Sequence, residues 1–196
     1  MTAFDAHCYG SLVAALVTDD RLPALDAGEP NRAARKRLDA IAPEALFDAA
    51  PVDRDMAAAC LSALWLWHDF LDESHAISQT IDTPTGSFWH GIMHRREGDF
   101  GNSKYWFRRV GRHPVFGPLA AAAAEEAASA ETASSLAGEF AGDLAGGDWD
   151  PFRFVDLCER AVRSGDAHDT DLLRRIARRE WQLLFDHCYR AAQGSS

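Results

Sequence analysis

From Asp53 to Gln79 the chain runs without a proline or a glycine, and no other stretch restricts its fold as much. Met56, Cys60, Leu64, Trp67 and Leu71 recur every three to four residues, with Ala57, Leu61, Trp65 and His68 on the adjacent stripe. So broad an apolar surface predicts a central helix with neighbours on more than one side, N-capped by Asp53.

The remaining segments repeat that period. Leu12, Val13, Leu16 and Val17 predict a first helix over about 4–17, ended by Asp19, Asp20 and Pro23. A more exposed helix follows Pro30 and stops at Pro43, and a short helical turn covers 44–49. Thr80–Ser87, with Pro84 and Gly86, reads as a reversal that makes the central helix and the next one antiparallel neighbours. Leu119–Ala130 is nearly all Ala and Glu, a strong helix former with little bulk. Residues 131–150 grade from weak helix into a flexible acidic, glycine-rich connection. Asp150 and Pro151 start a helix that Gly165 ends, and Thr170 caps the last one. Period-two alternation is missing throughout, so the chain is predicted to be a single all-α domain over 1–196, a helical bundle or array of α-α hairpins.

Residues 88–116 concentrate the chemistry. Phe88, Trp89, Ile92 and Met93 mark one short helix ended by Gly98, and Tyr105, Trp106, Phe107 and Val110 mark a second ended by Gly111. The hairpin resembles a tetratricopeptide unit in Gly91, Gly98, Phe100, Ser103, Phe107, Val110 and Pro114, over fewer than 30 residues. It departs where His94 replaces a large aromatic and where the proline is displaced by one. That resemblance implies a concave protein-binding surface, although such repeats need about three copies to bury a core and one is found. HGIMHRREGDF and KYWFRRVGRHPVF are also similar to the signature of a bacterial and fungal protein family with no assigned activity.

A net charge of −10 repels nucleic acid and anionic membrane, no apolar run reaches a membrane span, and the N-terminus lacks a basic start and cleavable apolar stretch. The cytoplasm is the expected location. Cys8, Cys60, Cys158 and Cys188 lack the spacing of a zinc knuckle or redox pair and sit in apolar helical patterns as core residues. Within the acidic chain, Arg95, Arg96, Lys104, Arg108, Arg109 and Arg112 form a basic cluster, expected to be at least partly neutralised by Glu97, Asp99 or acids between Glu125 and Asp148.

Two constellations follow. His90 and His94 lie one turn apart on one helix face, and His68, Asp72 and His75 share a face of the long helix at i, i+4, i+7. Packed together, the faces would offer up to four imidazoles and a carboxylate to a divalent metal. Alternatively, these histidines fill half-buried sites between aromatic residues. Gly91 occupies the general-base position of the HExxH motif, and paired Glu-x-x-His elements are missing, which argues against a zincin or a ferritin-like di-iron protein. The second set is Arg95, Arg96, Glu97, Lys104, Tyr105, Arg108 and Arg109, where guanidinium forks and aromatic rings could hold a small anion. Ser74 beside His75 and Cys188 beside His187 point about 100° apart and form no dyad. The expectation is a protein that binds a small anion or a metal between central helix and hairpin. The alternative is a tetratricopeptide-like interaction module; reaction and oligomeric state stay open.

Overall fold

The computed structural model describes residues 4–17, 21–130 and 134–195; Asp19, Asp20 and Glu131 of the sequence reading lie outside them. The described residues form ten α-helices and no strand: α1 (Gly10–Leu16), α2 (Arg32–Asp39), α3 (Arg54–Trp67), α4 (Leu71–Ser78), α5 (Pro84–Glu97), α6 (Phe100–Val110), α7 (Phe116–Ser129), α8 (Ser135–Asp143), α9 (Pro151–Ser164) and α10 (Ala167–Ala192). No described helix is long and apolar enough to cross a membrane.

α3 and α5 sit innermost. Asp53 caps α3 by accepting from the Met56 amide, and Ala59–Trp67 of α3 is buried without interruption, including Leu64 at 0% exposure. α5 is buried from Thr85 to Arg96, its polar residues included. The 26-residue α10 closes one side: Trp181 donates to the Ala63 carbonyl at 2.9 Å and packs against Trp67 with ring centroids 4.5 Å apart. α6 folds back on α5, and its Ser103 hydroxyl donates to the Gly91 carbonyl at 2.8 Å. A Cβ at Gly91 would meet the Phe107 ring at 3.1 Å, so this glycine lets the two helices approach.

Several boundaries differ from the reading. The expected helix over 53–79 is two helices, broken at His68–Phe70, with Asp69 left-handed at φ 61°. The Phe70 amide donates to the Trp65 carbonyl and that of Asp69 to the Leu66 carbonyl, the bonding of a Schellman stop with aspartate where glycine is usual. The side chain makes this possible: the Asp69 carboxylate receives Arg21 and Arg96. Pro84 opens α5 behind the Thr83 cap rather than lengthening a loop, because proline fits the first helical turn. α10 begins at Ala167, where Asp166 accepts from the His168 and Asp169 amides ahead of the predicted Thr170 cap. The first segment is a 3-10 turn at Ala6–Tyr9 followed by the short α1, and the 131–150 stretch contains α8.

Candidate metal centre

The break at Asp69 decides which histidines meet. Had one helix continued through it, His68 and His75 would share a face; instead they go to different places. His68 packs toward the segment before α2, its Nδ1 3.0 Å from the Asn31 side-chain amide and its carbonyl accepting from the Asn31 backbone. His75, on α4, turns to α5 and places its ring edge-on to His90 and His94, at 4.7 and 5.3 Å. Asp72 is exposed on α4 and does not join the cluster. The predicted five-residue set is therefore divided, and His75, His90 and His94 are the part brought together.

On α5, His90 and His94 stack at 4.7 Å with 18° between planes, as their one-turn spacing requires. Trp106 of α6 covers the other face of His90 at 3.8 Å and 17°. His94 Nδ1 lies 3.0 Å from Glu97 Oε2, and the Asn102 side-chain amide lies 3.1 Å from Nε2. One nitrogen from each histidine can be chosen so that all three lie within 4.8 Å of one another. Three ligands on a tetrahedral zinc ion stand about 3.4 Å apart. Side-chain rotation, most easily of half-buried His75, would close that difference.

His90 is 2% exposed, and neither of its ring nitrogens has a hydrogen-bond partner. A buried polar atom without a partner loses its solvation for nothing, so such groups are rare and point to an unfilled role. Burial, reinforced by neighbouring His94 and His75, pushes the His90 pKa down to about 3. Burial also lowers His94, against the opposing pull of Glu97. Both imidazoles are neutral at pH 7, the form that coordinates a metal. Glu97 can accept from Nδ1–H of His94, the outer-shell arrangement common around ligating histidines, which leaves the Nε2 lone pair for a metal to take in place of the Asn102 amide.

The predicted anion-binding set is dispersed. Arg95 points to Glu180 of α10 and stacks over Phe154 at 4.6 Å. Arg96 points to Asp69 and the Asp26 carbonyl. Lys104 pairs with Asp156, Arg109 pairs with Asp82 and covers Trp106 at 5.2 Å, and Arg108 lies over Phe152 at 5.9 Å. Glu97 serves His94, and Tyr105 is half exposed beside Trp106. These side chains leave the hairpin in different directions. Four of the six cations of the basic cluster, Arg95, Arg96, Lys104 and Arg109, meet carboxylates, though not the acids expected. Asp99 caps α6, and Glu125 and Glu126 pair with Arg179 and Arg175, so the counterions come from Asp69, Asp82, Asp156 and Glu180. Those acids are remote in sequence, and only helix packing brings them near.

Two residues of the centre escaped the sequence reading. They are Asn102 and Trp106, the second of which marked only the apolar period of the second hairpin helix. The available signal was Trp106 three residues beyond Ser103, where the hairpin turns one face of α6 onto α5. Compared with known proteins, the chain matches no family model, no curated protein and no solved structure. What the centre can do therefore rests on its own geometry.

Proposed function

We propose that the protein binds a divalent transition-metal ion through His75, His90 and His94. The observation that carries this reading is His90: buried, stacked, neutral and without a hydrogen bond at either nitrogen, beside two further imidazoles. An all-imidazole set suits zinc, copper, nickel or iron(II) rather than calcium or magnesium, which prefer oxygen. Three histidines leave a further coordination position, as in sites where a bound water or substrate atom completes the shell. Glu97 orients His94, and Trp106 holds His90 from behind and shields it from solvent.

The test is zinc and cobalt(II) titration of chelator-treated protein. Binding at one equivalent is expected, with a rise in unfolding temperature as metal concentration exceeds Kd. His90→Ala and His75→Ala should each abolish it, and a double variant should do no more than either alone. No heat of binding and no thermal shift with zinc, cobalt, nickel or iron would leave the three rings as a neutral stack filling the space between α4, α5 and α6.

A further inference from the structure

A second site is independent of the histidine cluster and shares none of its residues. It is a cleft of ≈ 790 Å³ lined by α1, the segment 21–31, α2, the α3–α4 break and α10, and three guanidiniums reach it: Arg21, Arg37 and Arg174. Most other arginines of the described fold meet a carboxylate. Arg37 and Arg174 do not: Arg37 donates to the Ala15 carbonyl at 2.9 Å, and Arg174 donates to those of Leu22 and Pro23 at 2.9 and 3.0 Å. These carbonyl bonds position the two forks without neutralising them.

The carboxylates in the cleft do little to offset that charge. Asp69 is shared by Arg21 and by buried Arg96, so one anion faces two cations, and Glu29 is exposed. Asn31 and His68 add polar groups to the wall. The backbone is fitted closely here. Gly28 has φ +68°, and a Cβ on it would meet the Asp69 carboxylate at 2.9 Å, while Asp69 is itself left-handed. Non-glycine residues in that conformation persist where surrounding structure holds them, and they gather at ligand sites.

We infer that this cleft binds a small multiply charged oxyanion, the phosphate group of a phosphorylated small molecule, through Arg37, Arg174 and Arg21. Guanidinium forks match phosphate oxygens bidentately, and uncompensated charge held in place beforehand is what such recognition needs. In a chain of net charge −10, a cleft of this sign stands out against a background that repels anions.

Calorimetric titration with inorganic phosphate at constant ionic strength tests the inference, with succinate as the dicarboxylate comparison and chloride as the control. Saturable phosphate binding at one equivalent is expected, weakened about tenfold or more by Arg37→Gln and by Arg174→Gln, as losing a charge-assisted bond does. Arg112→Gln, which removes an arginine outside the cleft, should leave it unchanged. Arg37 is exposed, so R37Q folds and carries the test even if R174Q does not. Succinate binding tighter than phosphate, chloride matching phosphate, or R37Q binding phosphate like wild type would overturn the proposal. Because phosphate is added to metal-free protein, failure here leaves the metal reading standing, and the reverse holds too.

Discussion

Neighbouring residues of α5 are equally buried but differently partnered. Arg95 and Arg96 are 2% and 3% exposed, and each guanidinium meets a carboxylate, Glu180 or Asp69. His90, one turn earlier, is as deeply buried and meets none. A buried cation cannot be left alone, since its desolvation is many times that of a neutral ring. A neutral imidazole can be, at a cost of about 1–3 kcal/mol per unpaired group. The arginines are therefore explained by the fold that surrounds them. The histidine is left over, and a residue that folding does not explain is where a ligand is sought.

That contrast can be broken from the arginine side first. Glu180→Ala leaves Arg95 charged and unpaired in the core and is expected to cost about 3–5 kcal/mol of unfolding free energy by urea denaturation. The double change Arg95→Met with Glu180→Leu should recover most of it. A single variant that loses under about 1 kcal/mol would remove the distinction.

Asp69→Asn is the next in size. Asparagine tolerates a left-handed backbone, so the helix break survives while Arg96 loses its counter-charge. A loss of about 2–3 kcal/mol is expected from the same measurement.

Acid should act through the histidines. Burial pushes His68 and His113 down to about 4 and His90 to about 3, whereas the unfolded chain takes up these protons near pH 6.5. Between those limits the unfolded state binds more protons, so stability is full above about pH 6.5 and falls as pH drops. Each of these three rings is expected to cost the metal-free protein about 2 kcal/mol between pH 7 and pH 5. A flat urea midpoint over that range would show that these rings are not held neutral. His113→Gln should reduce the slope.

The smallest stability effect belongs to the residue proposed to matter most for binding. His90→Leu removes two unpartnered nitrogens but also the ring stacking on His94 and Trp106; the gain and the loss offset, and the metal-free protein should change by less than about 1 kcal/mol. Zinc should no longer raise its unfolding temperature. Equal zinc response in wild type and variant would place any bound metal elsewhere.

Much of the fold was legible because it depends on local rules. Helical period, the Asp53, Asp99 and Asp150 caps and the Gly98 and Gly165 stops are written within a few residues of where they act. The one-turn pairing of His90 and His94 was legible for the same reason. The partners of the arginines were not, because Arg95 and Glu180 are 85 residues apart and no local period links them.

By itself, then, the sequence determined that the chain is helical, where most helices end, and that one short segment carries two histidines on a single face. Only the tertiary structure decided that the helix expected over 53–79 breaks at Asp69, because an aspartate can take a left-handed stop when two remote arginines hold its carboxylate. That break turns His75 toward α5 and leaves His68 on the far side of it. The composition of the histidine cluster follows from a long-range charge contact that no neighbouring residue announces.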